Sequence, residues 1–157
     1  MPIIYIEGDD IFSQGDSPKI IAHFCNNLGI WETGFVLALS KRWEEPEIEY
    51  RQWAKNQPLV LGEVQLVSVA PELWVANIIG KQGIHRKGNA LPLRYKAIRQ
   101  GLHKVASLAQ EHKASVHMPR VGTGLAVGDW YRISDIIADE LKDVQVVVYD
   151  LPKVTKI

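Results

Sequence analysis

The sequence predicts an α/β fold, a three-layer α/β/α sandwich built around a mixed central sheet. Short runs rich in β-branched and aromatic residues, which favour strands, recur along the 157-residue chain. Amphipathic runs with helical spacing lie between them. Strands that alternate with helices in this way pack as a sheet covered on both faces.

Six runs are predicted to form strands, because each is short, largely apolar and bounded by polar or glycine-containing segments. They are IIYIE at 3–7, KIIAHF at 19–24, EVQLVSV at 63–69, LWVANII at 73–79, SVHMP at 115–119 and VQVVVYDL at 144–151.

Four helices are predicted between these strands. The first begins at Gly34 with GFVLALSKRW, and a more polar helix follows over 45–55. The third is predicted from Pro92 to about Lys113, with the proline in its first turn. The fourth covers 129–141, and Asp129 is its expected N-cap. The apolar stripe of the third helix consists of Leu93, Ala97, Ile98, Leu102, Val105 and Leu108.

Composition and charge narrow the function classes. The chain has 46% apolar residues and equal numbers of basic and acidic residues, 18 of each. A neutral chain lacks the broad positive field that collects nucleic acid, so neither nucleic acid nor a membrane is expected as a partner. A single cysteine, Cys25, cannot form an internal disulfide, and no Cys/His cluster has metal-site spacing. We expect one domain over 1–157, a cytoplasmic location, and no metal or cofactor.

Two glycine-containing loops are predicted to meet at one edge of the sheet. CNNLGIWETG at 25–34, called loop one, follows the second strand, and VGTGLAVG at 121–128, called loop two, follows the fifth. Each passes from a strand into a helix and so aims backbone N–H groups and a helix N-terminus at that edge. Ligands of α/β sheets gather beyond the carboxyl ends of the strands. The pair predicts a site that holds a diphosphate with backbone amides.

One glycine loop alone would be weak evidence, because glycine also serves plain turns that need a positive φ. Loop two lacks the Gly-Lys-Ser/Thr ending of a P-loop, which disfavours nucleotide hydrolysis of that type. It also lacks the GxGxxG spacing and the downstream acid of a dinucleotide-binding fold. The two loops together therefore need another explanation.

Four ordered motifs resemble the macrodomain family. They are GDDIF at 8–12, AHFCNNLGIWETGFVLALSKRW at 22–43, LGEVQLV at 61–67 and HMPRVGTGLAVGDW at 117–130. The resemblance extends from about Ile4 to Pro152. More narrowly, the chain resembles the stand-alone branch that includes ADP-ribose-1″-phosphate phosphatases and terminal ADP-ribose–protein glycohydrolases. The resemblance implies the α/β/α fold and a site for ADP-ribose.

The resemblance also implies ligand contacts. An acid takes the adenine amino group, and Asp9 and Asp10 compete for this role; Asp10 is preferred because it directly precedes Ile11, itself an implied contact. Asn26 faces the distal ribose, where its amide can both donate to and accept from sugar hydroxyls. Tyr149 either lies against the adenine or is an ordinary strand aromatic. The other implied contacts are the loop residues Thr33, Gly34, Gly122, Thr123, Gly124, Leu125 and Ala126.

Both loops depart from the family pattern. Relatives commonly have two small residues where this chain has Glu32 and Thr33, and Val127 replaces a usual glycine. A carboxylate beside a bound diphosphate is repelled unless it points at the distal ribose or at water. Glu32 is therefore either a general base for water or an outward-facing residue, and the second interpretation is preferred.

Other residues bear on catalysis. The glycohydrolase relatives are thought to use a lysine, which falls on Lys81, with an aspartate that falls on Ala126. That two-residue mechanism is incomplete here, and Lys81 is more simply a surface lysine. His23, with an ordinary pKa of about 6.5, either transfers a proton or orients water at the ligand, or is a hydrogen-bonded core residue. Cys25 is expected to be buried and unreactive.

The expected function is binding of ADP-ribose and metal-independent hydrolysis at the distal ribose, with His23, Asn26 and Glu32 as catalytic candidates. Removal of the 1″-phosphate from ADP-ribose-1″-phosphate is expected ahead of removal of ADP-ribose from a modified side chain. The alternative is a non-catalytic reader of free or protein-linked ADP-ribose, which the alanine at position 126 favours. ADP-ribosylated macromolecules are candidate partners.

Overall fold

The computed structural model describes residues 1–8, 10–15, 17–31, 34–84, 92–120 and 129–151, and for Asp10 the backbone only. The strands are β1 (Ile4–Glu7), β2 (Lys19–Asn26), β3 (Val64–Ala70), β4 (Leu73–Lys81), β5 (Ser115–Pro119) and β6 (Val146–Asp150). The α-helices are α1 (Phe35–Arg42), α2 (Glu45–Asn56), α3 (Tyr95–His112) and α4 (Trp130–Glu140), and a short 3-10 helix covers Asp10–Phe12.

The strands form one six-stranded sheet in the order β1-β6-β5-β2-β4-β3. Every neighbouring pair is parallel except β3 and β4, which are antiparallel. The predicted mixed sheet is confirmed. Parallel strands need crossover helices, and these helices cover the two faces of the sheet.

The side chains of β2 show how the layers form. Ile20, Ala22 and Phe24 face the apolar layer under α3 and α4, whereas Ile21 and Cys25 face the layer under α1 and α2. A strand buried on both faces reads as a nearly continuous apolar run, as β2 does from Ile20 to Cys25 apart from His23. The predicted α/β/α sandwich is therefore confirmed. Among the described residues, no helix is long and apolar enough to cross a membrane.

Two predicted boundaries differ from the structure in ways that shape the site. α3 begins at Tyr95 rather than Pro92, because Leu93 bridges to Lys81 and the Arg94 amide donates to the Gly80 carbonyl at 2.9 Å. Residues 92–94 therefore continue the sheet edge instead of starting the helix. β2 and β4 extend past their predicted ends to Asn26 and Lys81, which pair with each other.

A network of side-chain hydrogen bonds, buried at Asn77 and His23, ties α2 to the sheet. The Asn77 amide nitrogen donates to the Pro46 carbonyl at 3.1 Å and to Gln65 Oε1 at 3.0 Å. Gln65 Nε2 donates to the Glu49 carbonyl at 3.0 Å. The remaining group of Asn77, its Oδ1, lies 2.6 Å from Nε2 of His23. Two backbone carbonyls of α2 are thus satisfied by side chains of β3 and β4.

This network of hydrogen bonds fixes the protonation state of His23. Because the amide hydrogens of Asn77 already have acceptors, its Oδ1 can only accept, so the imidazole carries its proton on Nε2. Burial lowers the pKa of His23 to about 4, although the bond to Asn77 opposes this shift. The ring lies between Trp31 and Phe35, with ring centroids at 5.5 and 5.6 Å. His23 is therefore a neutral core residue.

We predict that acid removes the stability that a neutral His23 contributes. The pKa is about 4 in the folded protein against 6.5 ordinarily. The contribution is therefore full above the ordinary value and is lost as the pH falls towards the folded value. His23→Gln keeps a donor for Asn77 but cannot titrate. Between pH 7 and pH 5, the free energy of unfolding in urea should fall by about 2 kcal/mol more in the wild type than in this variant. Parallel pH dependences would contradict a buried, neutral His23.

Candidate ligand site at the carboxyl edge of the sheet

The carboxyl ends of five parallel strands lie at one edge of the sheet. Loop one leaves β2 and loop two leaves β5, and these two strands are neighbours, paired from Lys19 with Ser115 to Ile21 with His117. The prediction that both loops start at the same edge is confirmed. β4, which ends at Lys81, flanks β2 on its other side.

Many residues of the predicted site, both ligand contacts and catalytic candidates, lie outside the described residues, and for these the assignments stay predictions. They are Asp9, Glu32, Thr33, Gly122, Thr123, Gly124, Leu125 and Ala126, together with the side chain of Asp10.

Asn26 closes loop one on itself. Its Oδ1 accepts hydrogen bonds from the amides of Leu28 at 2.9 Å and Ile30 at 3.2 Å, and from the Tyr50 hydroxyl at 2.9 Å. Its Nδ2 donates to the Ile30 carbonyl at 2.7 Å. The amides of Leu28 and Ile30 occupy both lone pairs of Oδ1, and the single hydrogen of the Tyr50 hydroxyl is shared between Oδ1 and the Asn26 backbone carbonyl at 2.6 Å. Among the described residues, the second Nδ2 hydrogen is the part of this amide left for a ligand, and the contact of Asn26 with the ribose stays a prediction.

α1 begins where loop one ends, at Gly34. Gly34 has φ 74° and ψ −134°, and among the described residues no side chain caps the start of the helix. Its carbonyl accepts from the Leu37 amide at 3.1 Å. A helix start without a side-chain cap presents backbone N–H groups and the positive end of the helix dipole, which favour an anion. The position of Gly34 agrees with its predicted place at the ligand edge, and its contact with a ligand stays a prediction.

Lys81 is half-buried at the end of β4, opposite Asn26. Burial lowers the pKa of its ammonium, an effect that the nearby Cys25 sulfur partly opposes. Within the described part of the chain, its ammonium makes no hydrogen bond or ion pair. Lys81 is thus more buried than an ordinary surface lysine, and its role stays a prediction. A half-buried cation that lacks a counter-charge among the described residues is suited to an anionic partner.

His23 and Cys25 lie in the core beside this edge. His23 is 3% exposed and Cys25 is 5% exposed. The only Nε2 hydrogen of His23 is held by Asn77, so the core interpretation of this histidine agrees with the structure and proton transfer to a ligand does not. Burial raises the pKa of the Cys25 thiol to about 12. Cys25 is thus protonated at neutral pH, as expected of an unreactive thiol.

Ile11 and Tyr149 are also buried at this end of the sheet, at 0% and 1% exposure. Both pack in the layer under α1 and α2. The Tyr149 hydroxyl lies 2.8 Å from Nδ1 of His117, whose Nε2 lies 2.8 Å from the Ser115 hydroxyl. Tyr149 is thus part of a polar chain within the sheet, and its contact with an adenine stays a prediction.

Three residues that shape loop one were not predicted from the sequence. Tyr50 of α2 contacts Asn26, and Gly29, with φ 79°, lies against the same helix. The Asn27 side chain accepts from the Gly83 amide at 2.9 Å, which joins loop one to the segment after β4. The available signal was the spacing of polar and aromatic residues in α2, but the partner of that helix face could not be read from it.

Comparison with known proteins gave no matching family model. A zebrafish (Danio rerio) chromodomain-helicase-DNA-binding protein 1-like is 32% identical over 149 residues, 88% of this chain, which spans 14% of that protein's length. The ADP-ribose 1″-phosphate phosphatase of Candida albicans is 23% identical over 82% of this chain and 86% of its own length.

Solved structures cover nearly the whole chain. A protein of unknown function from Bacteroides thetaiotaomicron is 50% identical with a TM-score of 0.90, covering 96% of this chain and 99% of that one. Thermosipho africanus DarTG in complex with ADP-ribose, at 17% identity and a TM-score of 0.73, shares the fold over 95% of this chain and 41% of its own. A macrodomain protein from Streptomyces coelicolor is 45% identical with a TM-score of 0.83, covering 95% of this chain and 99% of that one. This chain therefore belongs to the macrodomain family.

Proposed function

We propose that this macrodomain binds ADP-ribose at the carboxyl edge of its sheet and hydrolyses a derivative of it at the distal ribose. The observation that carries the proposal is the arrangement of neighbouring parallel strands β2 and β5. Both glycine loops follow these strands at one edge, and in the described part of the chain no side chain caps the start of α1 there. Backbone amides and a helix N-terminus at one place suit the diphosphate of such a ligand.

Two relatives support the choice of ligand. The Thermosipho DarTG structure, which shares the fold, is a complex with ADP-ribose. The Candida relative is named as an ADP-ribose 1″-phosphate phosphatase. Net neutrality argues in the same direction, because a site made of amides needs no excess of lysine or arginine.

For the reaction we propose removal of the 1″-phosphate. Water attacks phosphorus, the bond from phosphorus to the 1″-oxygen breaks, and that oxygen leaves with a proton, giving ADP-ribose and inorganic phosphate. Lys81 replaces His23 in this proposal, because its half-buried ammonium lacks a counter-charge among the described residues and lies opposite Asn26. A preplaced cation stabilises the charge that develops on the phosphoryl oxygens. Glu32 stays a candidate general base.

A reader of ADP-ribosylated partners is the second candidate. It is favoured by Ala126, which stands where the glycohydrolase relatives have an aspartate, and by the burial of His23. Binding is common to both candidates, and turnover separates them.

Binding is predicted to need both the diphosphate and the glycine at the start of α1, which adopts φ 74°. Titration calorimetry should give tighter binding of ADP-ribose than of AMP, which lacks the second phosphate and the distal ribose. A Cβ added at Gly34 would have no described atom within 4 Å. The φ of 74° at this position would nevertheless strain an alanine by about 1–3 kcal/mol. We therefore expect about a tenfold loss of affinity. Absence of heat with ADP-ribose at about millimolar concentration would exclude the proposed ligand.

Lys81 is predicted to act by its charge on the phosphate. Phosphate release from ADP-ribose-1″-phosphate should fall about 100-fold in Lys81→Ala, with ADP-ribose affinity nearly unchanged. Lys81→Arg, which keeps the charge, should retain most of the rate. Lys142→Ala, at an exposed lysine just after α4, is the control and should match the wild type.

Three results would count against this assignment. Release no faster than in buffer, with binding intact, would favour the reader. A wild-type rate in Lys81→Ala would remove the lysine from the reaction. An inactive Lys81→Arg beside an active wild type would indicate that the lysine acts as a neutral amine instead.

A further inference from the structure

One face of α2 carries four residues that together hold loop one. Glu47, Tyr50, Arg51 and Ala54 follow the i, i+3, i+4, i+7 spacing, so they form a single stripe along the helix. Each of them contacts loop one directly or through Ser40 of α1.

Tyr50 holds the first residues of the loop. Its buried hydroxyl lies 2.6 Å from the backbone carbonyl of Asn26 and 2.9 Å from Oδ1 of the same residue. Burial raises the pKa of this phenol, and the nearby backbone N–H groups of Gly29 and Ile30 lower it in part. The hydroxyl thus lies among polar groups of loop one while its ring packs 5.5 Å from the Trp31 ring.

Trp31 is held at both its side chain and its backbone. Its indole Nε1 donates to the Ser40 hydroxyl at 2.8 Å, which donates to Glu47 Oε1 at 3.0 Å. Arg51 Nε donates to Glu47 Oε2 at 2.9 Å, and Arg51 Nη2 donates to the Trp31 carbonyl at 3.3 Å. These four hydrogen bonds close a ring that begins and ends at Trp31, the residue directly before Glu32.

Gly29 brings the middle of the loop against the helix. A Cβ added at Gly29 would lie 2.7 Å from the Cβ of Ala54, and the glycine has φ 79°. Only a glycine facing a small residue permits this approach. The described part of loop one is therefore fitted to α2 at Asn26, Gly29 and Trp31.

We propose that the stripe on α2 is a template that holds loop one in its ligand-binding conformation, with Tyr50 and Arg51 as positioning residues. This inference rests on the proposed function, because it assigns the role through ADP-ribose binding. The template is itself fixed, since side chains of the sheet bond the Pro46 and Glu49 carbonyls of α2. A loop that is ordered before binding loses less conformational freedom when the ligand arrives.

A matched pair of arginine variants tests the proposal. Arg51 and Arg99 are both about half exposed, at 51% and 45%, and both bond acidic side chains, but Arg99 joins α3 to α4. Exposed ion pairs contribute little to stability, so Arg51→Ala and Arg99→Ala should both fold. We expect Arg51→Ala to bind ADP-ribose about tenfold more weakly, and Arg99→Ala to bind like the wild type.

Amide hydrogen exchange gives a readout that a purely structural role would not move. Without ligand, the 27–31 segment should exchange faster in Arg51→Ala than in the wild type or Arg99→Ala, with the rest of the chain unchanged. Saturating ADP-ribose should restore wild-type protection, because the ligand then orders the loop. Tyr50→Phe, which keeps the ring but removes the hydroxyl, should reproduce both effects.

The outcomes separate this inference from the proposed function. If the wild type binds ADP-ribose and both Arg51→Ala and Tyr50→Phe bind equally well, the template is overturned and the proposed function stands. If the wild type itself does not bind, the proposed function fails. Faster exchange spread over the whole chain would also overturn the template, because it would indicate general destabilisation.

Discussion

The carboxamide of Asn26 is the junction on which the site depends. It lies where β2 ends, and it binds two amides and one carbonyl of its own loop while receiving the Tyr50 hydroxyl. A short polar side chain that bonds nearby backbone groups replaces the ladder bonds that the strand no longer supplies. The conformation of residues 26–30 follows from this junction.

The buried polar groups on the α2 side of the sheet have a positional role. Apolar packing alone would leave the position of α2 on the sheet weakly defined, because the hydrophobic effect is not directional. Asn77 and Gln65 fix two carbonyls of the helix, and His23 satisfies the remaining oxygen of Asn77. A neutral histidine suits this role because it supplies one donor without a buried charge. His23 therefore contributes to the position of α2, which in turn holds loop one.

The local pattern of the sequence was enough to predict the layers but not the site geometry. Alternation and β-branched runs identified every strand of the sheet, and Asp129 caps α4 as predicted, with its side chain accepting from the Tyr131 amide. The orientation of the Asn26 amide could not be predicted, because it depends on Tyr50, which is 24 positions away in sequence. Helix α2 was predicted as simply polar, since its stripe acquires a function only when loop one lies against it. The half-burial of Lys81 could not be predicted for a similar reason, since it comes from neighbouring elements.

The central claim is that loop one is already in its binding conformation before the ligand arrives. Crystal structures of the protein alone and with ADP-ribose test it most directly. We expect the backbone of 26–31 to superpose within about 1 Å, with Asn26 Oδ1 still accepting from Leu28 and Ile30. A rotated Asn26 amide that accepts from the ribose, with loop one lifted from α2, would contradict the claim.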